Sequence, residues 1–115
     1  LKKNGTLIIT TPFNSLTHYA PYHYSTGFSS YFYEYYMEKF DYSILELKKN
    51  GNYFEYLAQE IRRLEQVSKK YSLKVNKIFK FFEYVYLNRL NKLSKNNESS
   101  EELLCFGLFL KAKKN

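Results

Sequence analysis

Several residue types that carry chemistry are scarce in this chain of 115 residues. Cysteine occurs once, at Cys105, which excludes an internal disulfide framework and fits a reducing compartment, so we expect a cytoplasmic protein. Glycine occurs four times and never as a clustered pair, so the chain has no Gly-rich loop for a phosphate or a nucleotide cofactor. The longest apolar run, residues 103–110, is far shorter than the roughly 20 residues that cross a bilayer.

Arginine is also scarce, with three arginines against 15 lysines at a net charge of +7. Proteins that recognise nucleic acids favour arginine for bidentate contacts, whereas scattered lysines add solubility and nonspecific attraction. Phe, Tyr, Met, Ile, Asn and Lys, which AT-rich codons encode, make up 54 of the residues. We therefore attribute the charge mainly to composition, expect no nucleic-acid partner, and keep an anionic partner as the alternative.

The chain opens with a turn, residues 1–5, that runs directly into an apolar, β-branched segment. This segment predicts a central strand over residues 6–11, from Thr6 to Thr11, and Pro12 bounds it. No helix or strand comes before it. We therefore expect the chain to be the C-terminal half of an enzyme whose other half lies upstream.

The remaining pattern predicts one loop and further helices and strands. In order, they are an aromatic loop over 13–27, a helix over 31–39 capped by Ser29 or Ser30, a strand over 42–47, a helix from 53 capped by Asn52, a helix over 73–93 and, after a polar connection, a final strand over 103–112. The second long helix carries a broad apolar stripe opposite an outer face of Lys and Asn. The stripe consists of Val75, Ile78, Phe79, Phe82, Val85, Tyr86, Leu90 and Leu93.

Four regions of the chain resemble parts of one enzyme family. LKKNG is similar to a Leu-Lys-Pro-Gly-Gly turn, with Lys3 and Asn4 replacing Pro and the first Gly, and TTPF, THYAPYHY and GFS resemble a substrate-side loop. NYFEYLAQE resembles the helix after a sixth strand, and CFG with the final AKK resembles a seventh strand. Taken in order, they resemble the C-terminal half of class I S-adenosylmethionine-dependent methyltransferases, especially the small-molecule type-11 group. The likeness covers nearly the whole chain except about residues 70–102.

The resemblance implies an α/β fold. It would be the C-terminal part of a Rossmann-like methyltransferase sheet, with equivalents of strands five, six and seven and two long helices. Residues 1–115 would form one partial domain with a helical insertion over about 70–102. In that topology the last strand inserts antiparallel between the other two, and the strand over 6–11 becomes an exposed edge because strand four is missing. Such an edge would accept an N-terminal half or a second copy of the chain.

The resemblance also implies methyl transfer from S-adenosylmethionine to a small-molecule acceptor in the complete enzyme. In that family the first half holds the cofactor, through a Gly-rich turn after strand one and an acidic residue after strand two. Neither position exists here, so we expect no cofactor binding and no activity from this chain alone. The alternatives are a noncatalytic binding or assembly module that contacts an anionic partner, and a relic of a split gene.

The aromatic loop is the predicted substrate site, because open α/β sheets bind ligands beyond the carboxyl ends of their parallel strands. His18 and His23 are the candidate catalytic residues, since a histidine can take a proton near neutral pH. The predicted substrate-binding residues are Thr17, Tyr19, Tyr22, Tyr24, Tyr31 and Tyr35. Alternatively, the aromatics pack over the sheet and the histidines bond the backbone. We expect no metal site, and we expect Cys105 in the core.

Overall fold

A three-stranded sheet and three α-helices make up the fold, in a computed structural model that describes all 115 residues. In chain order the elements are β1 (Thr6–Pro12), α1 (Ser30–Lys39), β2 (Tyr42–Asn50), α2 (Tyr53–Tyr71), α3 (Lys77–Lys95), a short 3-10 helix (Ser100–Glu102) and β3 (Gly107–Lys114). The expected α/β class and the two long helices are therefore confirmed. The molecule is elongated and thin, with extents of 59 × 39 × 17 Å.

Strand β3, the last in the chain, lies at the centre of the sheet in the order β1-β3-β2. It runs antiparallel to both neighbours, and Leu110 is paired with Ile9 on one side and with Leu47 on the other. The prediction that the last strand inserts antiparallel between the other two is confirmed. β1 has no partner on its outer side, so the expected exposed edge is present.

The core lies on one face of this sheet. Its buried cluster consists of Tyr33, Met37, Cys105, Leu108, Leu110 and Ala112. Alternate residues of β3 point to the same face, and α1 covers them with Tyr33 and Met37, one turn apart. Cys105 is fully buried just before β3, as expected of a core residue, and this burial raises the pKa of its thiol.

The opposite face of the sheet is open at β1. Leu7 and Ile9 are half-buried, whereas Ile8, which points to the opposite face, is 60% exposed. Ile8 is paired with Lys111 of β3, so only a long polar side chain lies beside it. The edge strand therefore presents apolar surface and unpaired backbone groups together.

Helices α2 and α3 form an antiparallel hairpin. The Asn52 side chain accepts hydrogen bonds from the N–H groups of Phe54 and Glu55, both at 3.1 Å, so the predicted cap of α2 is confirmed. Ala58 of α2 and Leu90 of α3 are buried. No helix of the protein is long and apolar enough to cross a membrane.

An ion-paired glutamate joins the two helices of the hairpin. The Glu65 carboxylate lies 2.9 Å from the Lys69 ammonium on its own helix and 3.0 Å from that of Lys80 on α3. The hydrogen bonds from Lys69 and then Lys80 hold the pKa of Glu65 below its usual value. These contacts connect the hairpin near its free end.

Three elements have boundaries that differ from the prediction. α3 begins at Lys77 rather than residue 73, because the Asn76 side chain accepts the N–H of Phe79 at 2.8 Å and so starts the helix there. β3 begins at Gly107 rather than residue 103 and continues to Lys114, because residues 103–106 connect the 3-10 helix to the strand without pairing in the sheet. β2 extends to Asn50, three residues beyond the prediction.

Most of the apolar stripe of α3 is not buried. Leu90 is buried, but Ile78 is 68% exposed and Phe82 and Val85 are also exposed. The side of α3 that meets α2 is rotated away from these residues and carries Glu83, Leu87, Leu90 and Ser94, which are all at least half-buried. The expectation that Lys and Asn alone would form the outer face was therefore wrong.

Candidate functional site

An open cleft of about 390 Å³ lies at the carboxyl end of β1. It is lined by Pro12, Asn14, Ser15, Leu16, Thr17, His18, Tyr56, Gln59, Arg63 and Phe106. One wall is the first part of the aromatic loop, and the other is the first half of α2. The cleft therefore occupies the position at which the sequence predicted a substrate site.

The loop is held at both ends, which fixes the cleft wall. The N–H of Phe13 donates to the Phe106 carbonyl at 3.2 Å, and the Ser15 hydroxyl donates to the Thr26 carbonyl at 3.0 Å. Gly27 closes the loop with a φ of +142°, and a Cβ there would lie 2.5 Å from the Pro12 carbonyl oxygen. Only glycine allows this approach of the two backbone segments.

His18 is the candidate base in the cleft. Its Nδ1 lies 2.7 Å from the Leu16 carbonyl oxygen, which can only accept, so Nδ1 carries the proton. In the neutral ring this leaves Nε2 as the nitrogen with a free lone pair, which can accept a hydrogen bond or a proton from a ligand. The backbone contact thus sets the ring tautomer that general-base chemistry needs.

His23 packs against His18, with ring centroids 4.9 Å apart. Its Nε2 is buried and has no hydrogen-bond partner. His23 does not line the cleft. It therefore contacts the His18 ring and not a ligand in the cleft. No group of three or more His, Cys, Asp or Glu side chains is arranged to hold a metal ion.

The helical wall supplies three polar side chains from one face of α2. Tyr56, Gln59 and Arg63 lie three and four residues apart, a spacing that aligns side chains on one side of a helix. The Arg63 guanidinium lies 3.0 Å from the Glu60 carboxylate. Burial, and secondarily the Glu60 charge, raises the pKa of the Tyr56 phenol, which therefore stays a neutral hydrogen-bonding group.

The structure brings together some of the predicted site residues and separates the others. Thr17 and His18 line the cleft, whereas Tyr19, Tyr22 and Tyr24 are exposed on the rest of the loop and do not. These three tyrosines therefore do not shape the cleft.

Tyr31 and Tyr35 lie on α1 and are also absent from the cleft. The Tyr31 hydroxyl donates to the Glu102 carboxylate, a hydrogen bond that raises the pKa of the phenol. Tyr35 lies beside Lys39, whose ammonium is 5.6 Å from the ring centroid. Both tyrosine side chains therefore lie on the exposed surface of α1, outside the cleft.

Sequence reasoning missed the helical wall. Two adjacent arginines on a helix indicate a solvated face, and Arg62 is indeed exposed, but Arg63 is half-buried and lines the cleft. The available signal was the polar spacing of Tyr56, Gln59 and Arg63 on an otherwise amphipathic helix. That spacing does not predict that this face of α2 packs beside the loop after β1.

No family model, no curated protein and no solved structure matches this chain. The function is therefore inferred from the residues and their arrangement.

Proposed function

We propose that this chain is the C-terminal, substrate-side part of an S-adenosylmethionine-dependent methyltransferase that acts on a small molecule. The observation that carries the proposal is the strand order β1-β3-β2, with β3 antiparallel between two parallel strands. This is the arrangement that the sequence resemblance implies for strands five, seven and six. It is a specific expectation, because the last strand must be threaded between two strands that precede it.

The open edge of β1 gives a second line of support. In the complete family fold, strand four pairs with the outer side of strand five. Here that side of β1 has no partner, and Ile8 exposes apolar surface on the uncovered sheet face. An N-terminal half would both pair the edge and cover the face.

The residues of this chain do not fit S-adenosylmethionine by themselves. A Gly-rich turn between strand and helix normally brings backbone N–H groups to such a cofactor. The segment between β1 and α1 spans residues 13–29 and contains a single glycine, Gly27, whose close neighbours are Pro12 and Phe13. The cofactor would therefore be held by the upstream half.

The chain's own residues would hold and deprotonate the acceptor. The Arg63 guanidinium and the Tyr56 hydroxyl supply donors on one wall, and Thr17 supplies a hydroxyl on the other. His18 Nε2 is the atom that would take the acceptor's proton. Holding the acceptor against a rigid helix would supply the orientation that a transfer reaction needs.

The first test is the coding DNA immediately upstream of Leu1. A segment that encodes a strand, a Gly-rich turn and a helix supports the proposal, and its absence overturns it for this protein. With such a segment, the joined protein is assayed for methyl transfer to a set of small acceptors. His18→Gln should abolish most of the activity, whereas the matched loop variant Tyr24→Phe should retain it.

A second candidate function is a noncatalytic module that contacts an anionic partner. The distribution of charge along the chain favours it, because the basic residues are not spread evenly. The methyl-transfer assay of the joined protein does not test binding to an anionic partner. The two candidate functions therefore need separate experiments.

A further inference from the structure

The net positive charge of the protein is concentrated in one segment. Residues 69–95 carry eight basic side chains and one acidic side chain, whereas the rest of the chain carries ten of each. This segment contains the end of α2, the connection between the long helices and all of α3. An excess of positive charge equal to the whole +7 therefore lies in residues 69–95 and not in the sheet, and uniform compositional bias does not account for it.

The same part of the hairpin exposes large apolar side chains. Ile78, Phe81, Phe82 and Val85 are all exposed, and they lie at i, i+3, i+4 and i+7, along one face of α3. These four residues form the exposed apolar stripe, which is narrower than the stripe read from the sequence and does not include Tyr86. Leu73, in the connection between the helices, is 84% exposed and lies next to this face across a shallow groove of about 370 Å³. Soluble monomers rarely expose contiguous apolar surface of this kind without a partner.

Basic and aromatic residues flank the apolar face. Lys74 lies in the connection before α3 and Lys77 is the first residue of that helix; neither makes an ion pair, while Lys80 is held by Glu65. Tyr84 and Tyr86 are exposed beside the stripe. Lysines around an apolar helix face, with tyrosines at its margin, are the pattern of a helix that lies in a membrane interface.

We propose that the hairpin tip, defined as residues 71–86, docks the protein on an anionic lipid surface. The apolar stripe of α3 would lie among the upper acyl chains, and Lys74 and Lys77 would contact the headgroups. This gives a specific partner to the second candidate function and is independent of methyl transfer. The helix would lie on the membrane and not span it, in keeping with its polarity.

Charge and chemistry favour lipid over the other possible occupants. A second copy would bring one strongly basic hairpin against another, which like-charge repulsion opposes. A nucleic acid would satisfy the lysines, but Ile78 and Val85 have no π-face on which a base can stack. An anionic bilayer satisfies both the charge and the exposed aliphatic side chains.

The test is cosedimentation of the full chain with vesicles of phosphatidylcholine alone and of phosphatidylcholine with phosphatidylserine. We expect binding to the anionic vesicles that weakens as salt is raised, and at least tenfold weaker binding to the neutral vesicles. Lys74→Gln/Lys77→Gln should weaken anionic binding about thirtyfold. The matched control Lys2→Gln/Lys3→Gln makes the same change in charge outside the hairpin and should have little effect.

Insertion of the apolar face is measured separately. The chain has no tryptophan, so Phe81→Trp provides a single fluorescent reporter on the stripe. Its emission should shift to shorter wavelength with anionic vesicles, whereas that of Tyr24→Trp, on the aromatic loop, should not. Ile78→Ser/Phe82→Ser should reduce binding about tenfold or more while leaving the circular dichroism spectrum unchanged, because both side chains are already exposed.

Three outcomes overturn the proposal. The first is a folded, monomeric chain that binds neither kind of vesicle. The second is sedimentation as a dimer that Ile78→Ser/Phe82→Ser dissociates, without vesicle binding. The third is binding to a single-stranded oligonucleotide that depends on Lys74 and Lys77, without any shift of the Phe81→Trp emission on vesicles.

Discussion

The side-chain amide of Asn52 donates a hydrogen bond to the Ser94 hydroxyl at 2.9 Å. Asn52 precedes α2 and Ser94 lies in the last turn of α3, so this contact closes the hairpin at the end opposite its tip. The Ser94 hydroxyl in turn donates to the Glu55 carboxylate at 3.2 Å. Asn52 therefore caps α2 and also holds the last turn of α3 against the start of α2.

Removal of the Asn52 side chain should destabilise the protein. Asn52→Ala leaves two N–H groups of the first turn without their acceptor and should lower the free energy of unfolding by about 1–2 kcal/mol. Asn52→Asp keeps the acceptor and loses only the donor to Ser94, so it should cost less. Urea titrations of both variants and of Ser94→Ala measure the difference. Equal stability of Asn52→Ala and the parent chain would contradict this role.

Gly51 should not tolerate a side chain. Its φ is +73°, and a Cβ there would lie 2.6 Å from Cε2 of Phe106. Gly51→Ala should cost about 1–2 kcal/mol from the backbone, and overlap with the ring adds to that. The variant should show a lower midpoint of thermal unfolding. In a Phe106→Leu background the same substitution should cost less, and an unchanged cost would rule out contact with the ring.

The ion pair between Asp41 and Lys114 should make stability depend on pH. The two groups are 2.9 Å apart, and hydrogen bonds from Lys114 and then Asn115 hold the pKa of Asp41 below its usual value. A carboxyl with a lowered pKa in the folded state stabilises the protein above its unfolded pKa, and this contribution disappears as the pH falls through the folded value.

Asp41→Asn should therefore remove part of the acid sensitivity. Unfolding followed from neutral pH to about pH 2 should show a smaller loss of stability for this variant than for the parent chain. Asn also suits the positive φ of 60° at this position, so the backbone is not strained. Glu98, which makes no ion pair, provides the control: Glu98→Gln should leave the profile unchanged.

The chain by itself should not bind S-adenosylmethionine. No Gly-rich turn joins β1 to α1, and the cleft is lined by a proline, polar loop residues and one helix face. A calorimetric titration of the cofactor into the 115-residue chain should give no binding heat. Tight binding would show that this half contains a cofactor site of its own and would contradict the division of roles proposed above.

The open edge of the sheet should promote association. Ile8 is an exposed apolar residue on the unpaired strand β1, so Ile8→Lys should reduce concentration-dependent self-association in sedimentation velocity experiments. Leu45 is also exposed and lies on β2, the other edge strand, which makes Leu45→Lys the matched control. An equal effect of the two substitutions would assign association to general hydrophobicity rather than to β1.

Local patterns predicted most elements of the fold. The β-branched segment before Pro12 became β1, and the Asn52 cap with its 3.6-residue spacing became α2. Two of the boundaries that failed lie where apolar residues continue past the end of an element. Leu73 extends the helical period before the Asn76 cap, and Leu103 extends the apolar run before β3. The Asn76 cap sets the start of α3, and pairing with β1 and β2 sets the start of β3. Hydrophobic periodicity indicates neither.

The candidate site was predicted only on its loop side. Thr17 and His18 lie in the loop after β1. The rule that ligands bind beyond the carboxyl ends of strands is therefore enough to place them at the site. Tyr56 and Arg63 join them because α2 packs across the loop, a contact between residues about 40 positions apart. The failure on α3 has the same origin, since the sequence shows an apolar stripe but not whether another element will cover it.

The central position of β3 has a consequence for synthesis. Thr6 pairs with Lys113, so β1 leaves the ribosome well before β3 and meets that partner only after the three intervening helices and β2 have followed. At about 5–20 residues per second, β1 remains unpaired for on the order of 5–20 s. During that interval the nascent chain displays an unsatisfied apolar strand to chaperones and proteases. The sheet closes only when its middle strand arrives.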